Sequence, residues 1–185
     1  FFDMAMSGKY KAQAPELMSN ALKDYTNALN GARMKDKTKA EVLINRGAAE
    51  GANNQFQQAI TDLTEGLKID PTNKNGYFNR SIAYYTTQQY DKALEDYDAY
   101  LKLDPFNANV WYECGMIQRS MQRNDQAIQS LGKAIQLNPR IGVAYLERAR
   151  AYAQSGKLAE AKMDYQRAQQ MGVKLEAMDQ QLLQK

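Results

Sequence analysis

Residues 74–105 read KNGYFNRSIAYYTTQQYDKALEDYDAYLKLDP, and this stretch is one copy of a pattern that returns every 34 residues. Its closing Pro105 has counterparts at Pro71 and Pro139, each preceded by Asp or Asn. Ala93, in its second half, also has alanine counterparts 34 residues away on either side. A fixed period of this length indicates a repeat architecture rather than one irregular globular core.

Each unit places large and small side chains at fixed positions. Counted from Ala40, Lys74, Ala108 and Gly142, the fourth and twenty-fourth positions are large or aromatic, and the eighth is small. The twenty-seventh position is small except at Tyr100. These spacings predict two antiparallel amphipathic helices per unit, in which small residues let the helices approach and large ones fill the space between units. Because one unit cannot bury its apolar face alone, the units are predicted to stack.

The pattern resembles the tetratricopeptide repeat family, and the resemblance covers residues 40–173. It implies an all-α fold, namely a right-handed α-solenoid of antiparallel helix pairs wound into a superhelix. The predicted boundaries are 1–39 for a degenerate amino-terminal repeat and a basic loop, 40–73, 74–107, 108–141 and 142–173 for four full repeats, and 174–185 for a carboxyl-terminal capping helix.

The two ends of the chain depart from the repeat. The degenerate unit is predicted to have Gly8 in a first helix and residues 20–29, NALKDYTNAL, as a second helix. Residues 33–39 are interpreted as a solvated loop. After Val173, apolar residues at helical spacing predict a closing helix, unless a longer array was cut there. Those apolar residues are Leu175, Met178, Leu182 and Leu183.

Arginine and aspartate occupy two further positions together. Where the seventh position is Arg, the twenty-third is Asp, whereas the third unit has Cys114 and Ser130 there. Since the seventh position lies on the first predicted helix and the twenty-third on the second, we hypothesise an ion pair that ties each hairpin together. The alternative is surface charge, which contributes little. The three pairs are Arg46 with Asp62, Arg80 with Asp96, and Arg148 with Asp164.

In the family that the repeats resemble, the first helices line a concave groove that binds peptides or protein segments. Asn45 and Asn79 resemble the asparagines with which some members hold the backbone of an extended peptide, since an amide both donates and accepts hydrogen bonds. The candidate groove residues that the resemblance implies are Ile44, Asn45, Phe78, Asn79, Ile82, Tyr85, Tyr112, Glu113, Met116, Arg119, Leu146, Glu147 and Arg150.

Charge along this groove favours one kind of ligand. Glu113 and Glu147 favour a basic side chain near the third and fourth repeats, partly opposed by Arg119 and Arg150. The expected partner is a peptide with apolar anchors whose more basic part lies there. The alternative is that neighbouring helices or a terminal segment cover some of the apolar residues.

Family members that bind the acidic tails of chaperones use a clamp of Lys, Asn and Arg. In the best register only Asn79 fits this clamp. Because the other positions hold Ile44, Ala48, Asn109 and Glu113, the resemblance argues against a chaperone tail as the partner.

Composition argues against several other functions. The chain has no His and one cysteine, Cys114, so it lacks the commonest acid–base catalyst and metal ligand and has no internal disulfide. Glu113 and Glu147 are the best candidates for a catalytic carboxylate pair, yet no nucleophile with a base and no phosphate-binding loop accompanies them. We therefore predict no enzyme activity, cofactor or metal. A net charge of +3 with mixed signs predicts no nucleic-acid binding.

Compartment and assembly stay open. No apolar run reaches the roughly 18 residues of a membrane-spanning helix, which predicts a soluble chain without membrane insertion. The chain starts at Phe1 rather than Met, so a cytoplasmic protein and a periplasmic or secreted one whose signal was removed are both compatible with it. Phe1 and Phe2 also fit a structural module that forms a weak homodimer through the ends of the array, or an adaptor region of a larger protein.

Overall fold

The computed structural model describes residues 8–31 and 34–184, with side chains from residue 19 to 31 and from 34 to 182. Every regular element in these ranges is an α-helix, which confirms the predicted all-α class. The helices are α1 (Gly8–Gly31), α2 (Asp36–Ala52), α3 (Phe56–Ile69), α4 (Lys74–Thr86), α5 (Tyr90–Leu103), α6 (Ala108–Ser120), α7 (Asn124–Leu137), α8 (Gly142–Gln154), α9 (Leu158–Gln170) and α10 (Ala177–Gln184). They form two compact units, unit 1 up to Leu103 and unit 2 from Asp104 onward.

Each repeat contains one pair of helices. α2 pairs with α3 and α4 with α5 in unit 1, and α6 pairs with α7 and α8 with α9 in unit 2. In the turn between the two helices, the fifteenth residue of every repeat has a left-handed backbone, with φ of 60° at Asn54, Gln88 and Gln122 and 75° at Gly156. A left-handed residue cannot continue a right-handed helix, so the first helix ends there.

Small residues stand where the paired helices touch. A Cβ atom on Gly47 would lie 2.7 Å from Cγ of Leu63, and one on Gly115 would lie 2.4 Å from Cγ of Leu131. The eighth and twenty-fourth positions therefore contact each other, as the alternation of small and large residues predicts. Tyr100, the exception to the small-residue rule, is buried all the same.

The amino-terminal part differs from the predicted pair of helices. α1 is continuous through residues 20–29, because no residue in it adopts the left-handed backbone that separates the helices of a repeat. The helix α2 begins at Asp36, so residues 36–39 belong to a helix instead of the predicted basic loop. Arg33 lies outside the described residues.

The second half of α1 nevertheless takes the place of a second helix. Arg46 donates to the hydroxyl of Thr26 at 3.4 Å, across 20 residues of sequence. In the next repeat Arg80 donates to the hydroxyl of Thr64 at 3.0 Å, across 16 residues. Thr26 and Thr64 thus make the same kind of contact with the arginine of the following repeat. The chain between the two partners is four residues longer for Thr26 and Arg46.

The helix that follows the last repeat is turned differently from the prediction. Leu175 is buried, but Met178 is 70% exposed and Asp179 only 2% exposed. The apolar spacing alone would place Met178 inside; the hydrogen bonds of Asp179 set the orientation of α10 instead. The side chain of Leu183 lies outside the described residues.

Candidate functional site

In three repeats, the arginine of the first helix and the aspartate of the second helix meet. Arg80 donates from Nε to Oδ2 of Asp96 at 2.8 Å and from Nη2 to Oδ1 at 2.7 Å. The aspartates of all three pairs are buried, so these contacts belong to the interior of the helix pairs rather than to a binding surface. The same two-point contact joins Arg46 to Asp62 and Arg148 to Asp164.

Tyrosine rings enclose the arginine in two of these pairs. The guanidinium carbon of Arg80 lies 5.8 Å from the ring centres of both Tyr77 and Tyr84, at the fourth and eleventh positions of the repeat. Arg148 lies at the same distance from the tyrosines at those positions of its own repeat. The hydrogen bond with Asp164 raises the pKa of Arg148, and cation–π contact also favours its charged form.

The eleventh position differs in the other two repeats. In the third, Ser130 donates to the side chain of Gln118 at 2.8 Å, a neutral bond in place of the ion pair. In the first, Glu50 is buried with Oε1 at 3.9 Å from Nε of Arg46, and its Oε2 has no hydrogen-bond partner among the described residues. Burial and the neighbouring Asp62 raise the pKa of Glu50 to about 7. The carboxylates of Glu50 and Asp62 thus both face Arg46.

The first-helix face of unit 1, meaning the surface formed by α2 and α4, carries both predicted asparagines. Asn45 and Asn79 line one cavity of about 290 Å³, together with Glu41 and Asn75. The side chain of Asn73, which also borders it, caps the start of α4. We call this the polar cavity, because it presents amides from both helices and one carboxylate.

A second cavity lies further along the same two helices. It measures about 220 Å³ and also has Asn79 in its wall. The other residues that line it are small or apolar, and Ile82 among them is 40% exposed. We call this the apolar cavity; its remaining lining residues are Gly47, Ala48, Gly51, Ala52, Phe56 and Ala83.

The other candidates of unit 1 are partly engaged in packing. The ring of Phe78 borders the polar cavity and lies 6.1 and 5.9 Å from two tyrosine rings of α5. Ile44 also borders that cavity but is buried. Tyr85 is exposed, with its ring 5.6 Å from that of Tyr90. Among the candidates of unit 1, Asn45, Ile82 and Tyr85 are thus exposed, whereas Phe78 and Asn79 are half-buried.

In unit 2, the groove glutamate of α8 is satisfied from within the chain. Oε2 of Glu147 accepts from Nε of Arg119 at 2.6 Å, and Oε1 accepts from Nη1 of Arg150 at 3.2 Å. Glu147 is buried. The basic side chain expected from the sequence therefore finds no open carboxylate at this position, and the glutamate has no free oxygen for a catalytic pair.

The network continues into α10. Arg150 donates to both oxygens of Asp179, at 3.2 and 2.8 Å, and this bond raises the pKa of Arg150. Asp179 also accepts from the backbone N–H of Glu176 at 3.1 Å and shares a hydrogen bond with Tyr165. A cavity of about 420 Å³ lies beside these groups, lined by Arg119, Arg150, Ala153, Gln154, Tyr165, Glu176, Met178, Asp179 and Leu182.

The remaining candidates of unit 2 are half-buried or buried. Glu113 is half-buried without a hydrogen-bond or ion-pair partner among the described residues, and burial raises its pKa. Tyr112 is also half-buried, with its hydroxyl 3.8 Å from the sulfur of Met116. Leu146 belongs to the core of the last repeat. Cys114 is buried and is not part of a disulfide within the described residues.

Some residues of the two cavities were absent from the candidates that the sequence provided. Glu41 and Asn75 occupy the second position of their repeats, which also faces the groove in the family, so the repeat register is the signal that finds them. Gly51 has no such signal. No sequence signal identifies Asp179 either, since helical spacing does not show that Arg150 lies opposite it.

Two further observations limit the kinds of site on offer. Across residues 8–31 and 34–184, no group of three or more metal-ligating side chains is close enough together to hold an ion. Nor does that part of the chain contain a helix with the length and apolarity needed to cross a membrane. Phe1 and Phe2, on which self-association through the array ends depended, lie outside the described residues.

Comparison with known proteins agrees with this architecture. Two family models match the chain, both of them described as tetratricopeptide repeat, one over residues 75–107 and the other over residues 114–172. No curated protein sequence matches it.

Solved structures share the fold. A crystal structure of MamA superposes with a TM-score of 0.79 at 22% identity, covering 91% of this chain and 96% of MamA. MamA from Desulfovibrio magneticus RS-1 gives 0.72 at 18% identity, with 91% and 97% covered. YrrB, described as a TPR protein with an unusual peptide-binding site, gives 0.69 at 19% identity, with 80% and 74% covered. The family models thus assign tetratricopeptide repeats to residues 75–107 and 114–172, and the repeating helix pairs and the shared folds agree with that assignment.

Proposed function

We propose that this chain is a non-catalytic protein-interaction module that binds an extended segment of a partner protein on the first-helix face of unit 1. The observation that carries the proposal is the position of Asn45 and Asn79, whose amides line one cavity from two successive repeats. Each amide can donate to a carbonyl and accept from an N–H of a peptide backbone. A segment held in this way gains affinity from its main chain, whatever its side chains are.

Apolar contact is available next to these amides. Ile82 and Tyr85 are 40% and 37% exposed on the same face of α4. Exposed aromatic and aliphatic side chains beside hydrogen-bonding groups are typical of the residues that contribute most to protein–protein affinity. They would bind apolar side chains of the segment.

The similarity to YrrB makes a peptide the first class of ligand to test. That protein is described as having an unusual peptide-binding site, and its fold resembles this one at 19% identity. Sites differ between proteins of one fold, so the proposal depends on the residues of this chain.

A selection from a library of random peptides displayed on phage tests the proposal. The full chain is the bait, and its variant with Asn45→Ala and Asn79→Ala is the comparison. Both residues are at least partly exposed, so the double variant keeps the fold, which circular dichroism checks. A control variant with Gln58→Ala and Glu95→Ala changes exposed side chains of the second helices α3 and α5. Peptides that bind the native chain and the control but not the asparagine variant support the proposal; equal binding to all three contradicts it.

A further inference from the structure

We infer that the bound segment carries an aliphatic side chain, which enters the apolar cavity of unit 1, and a lysine or arginine two or three residues away, which enters the polar cavity. This inference rests on the proposed function, because both cavities belong to the same face. The inference specifies which side chains the bound segment carries, whereas the two asparagines would contact only its backbone.

Gly51 indicates that the apolar cavity is open for a reason other than packing. A Cβ atom on Gly51 would meet only Cβ of Ala59, at an ordinary contact distance of 3.9 Å, and its backbone is not left-handed. Four residues earlier, a Cβ on Gly47 would lie 2.7 Å from Cγ of Leu63, so that glycine is needed where two helices touch. Glycine disfavours a helix relative to alanine. Because Gly51 has no side chain, the space that a larger residue would fill remains part of the apolar cavity.

The walls of this cavity fit a single aliphatic side chain. Apart from Asn79 they consist of glycine, alanine, Phe56 and Ile82. The volume of about 220 Å³ is smaller than the several hundred Å³ typical of small-molecule sites. An apolar side chain that enters it gains free energy from the surface that both partners remove from water.

The polar cavity favours a cation. Glu41 is exposed and has no hydrogen-bond or ion-pair partner among the described residues. The residues that line the cavity include four asparagines and no lysine or arginine, so Glu41 gives the cavity a net negative charge. A ligand ammonium or guanidinium group would pair with the carboxylate and donate its other hydrogens to the amide oxygens.

The spacing of the two cavities sets the spacing of the two ligand residues. Along α2 the polar cavity takes residues 41–45 and the apolar cavity residues 47–52. Their centres are about six residues apart, which is about 9 Å in a helix. An extended chain covers about 7 to 10 Å in two or three residues. Asn79 borders both cavities and therefore lies where the backbone between the two side chains would pass.

The test uses peptides selected on the full chain and two variants, each directed at one cavity. Glu41→Lys reverses the charge of the polar cavity, and Gly51→Leu puts a larger apolar side chain into the apolar cavity, at a position where a Cβ atom has room. Glu95→Lys, on the exposed face of α5, is the matched control for charge reversal. Dissociation constants are measured by fluorescence anisotropy for each selected peptide and for its Lys→Glu or Arg→Glu counterpart.

We expect selected peptides to contain an aliphatic residue two or three positions from a lysine or arginine. Glu41→Lys should weaken the basic peptide about three- to tenfold and strengthen its acidic counterpart, while Glu95→Lys changes neither. Gly51→Leu should weaken binding by about tenfold or more, with an unchanged or higher melting temperature.

Two results separate failure of this inference from failure of the proposed function. If binding requires Asn45 and Asn79 but Glu41→Lys and Gly51→Leu leave it unchanged, the inferred side-chain chemistry is overturned and the face remains the site. If binding does not depend on the asparagines at all, both the face and this inference are overturned.

Discussion

Arg80 and Asp96 form a two-point ion pair across the two helices of one repeat, at 2.8 and 2.7 Å. The side chain of Asp96 is only 6% exposed, and Tyr77 and Tyr84 lie on the arginine. The aspartate carboxylate therefore depends on the guanidinium for its hydrogen bonds. We propose that such pairs fix the angle between the two helices, and that the tyrosines hold the arginine in place.

Substitution Asp96→Asn should lower the stability of the chain considerably. An asparagine removes the charge and one acceptor, which leaves Arg80 half-buried without its counter-ion; the loss reaches about 3 to 5 kcal/mol at the upper end. The melting temperature measured by circular dichroism checks this. Exposed Asp98 of the same helix is the control, since Asp98→Asn removes an equal charge at the surface. Equal melting temperatures for both variants would show that the ion pair is dispensable.

Glu50 should make stability depend on pH. Its pKa is about 7 in the folded chain, above the ordinary value of 4.5, because of burial and of Asp62. The folded state therefore holds the proton more tightly than the unfolded state. Stability from this group is complete below about pH 4.5 and is lost as pH rises through 7, by up to about 1.4 kcal/mol per pH unit.

Thermal unfolding of the native chain and of Glu50→Gln between pH 5 and 8 measures this effect. Glutamine keeps the shape of the protonated acid and does not ionise. The difference in melting temperature between variant and native chain should grow with pH. A constant difference would mean that Glu50 does not titrate in this range.

Two glycines of unit 2 should respond to alanine in opposite directions. A Cβ on Gly115 would lie 2.4 Å from Cγ of Leu131, so Gly115→Ala forces the helices apart and costs about 1 to 3 kcal/mol. A Cβ on Gly132 would meet only Nη1 of Arg148 at 3.6 Å, and Gly132→Ala should gain about 0.5 to 1 kcal/mol from helix propensity. Urea unfolding of the two variants checks the prediction, which a gain for Gly115→Ala would contradict.

Asp179→Asn should release α10 from the last repeat. The helix has eight residues, too few to be stable alone, and Asp179 provides its bonds to Arg150 and Tyr165. Hydrogen exchange over residues 177–184 should become much faster in the variant, while exchange in α9 changes little. Unchanged protection of α10 would show that Leu175 and Leu182 hold it by themselves.

The sequence predicts the repeats well because both helices of each pair obey one period. Small and large residues that recur every 34 positions report contacts within a helix pair, and the shared loss of Arg and Asp at Cys114 and Ser130 points to a contact in the same way. An interaction that occurs only once in the chain leaves no repeating pattern in the sequence, so the period cannot predict it. The bonds of Glu147 with Arg119 and of Asp179 with Arg150 are of this kind, so the sequence pattern does not reveal that these groups are paired.

The candidate site was predictable only in part for the same reason. The register places Asn45 and Asn79 on one face, but it does not tell which neighbours are covered. The fifth position of the repeat holds Ile44, Phe78, Tyr112 and Leu146. Ile44 and Leu146 are buried, whereas Phe78 and Tyr112 are half-buried. Cavities arise from side chains that are missing, and the role of Gly51 becomes visible only when the surrounding atoms are known.

Nuclear magnetic resonance of the full chain, titrated with a peptide from the phage selection, tests the central claim most directly. The side-chain amide signals of Asn45 and Asn79 report hydrogen bonds made by those groups, and backbone signals report the rest of the surface. The proposed function predicts that both asparagine signals shift in proportion to the bound fraction, together with backbone signals of α2 and α4. Shifts confined to α3 and α5, or to unit 2, with both asparagine signals unmoved, would contradict it.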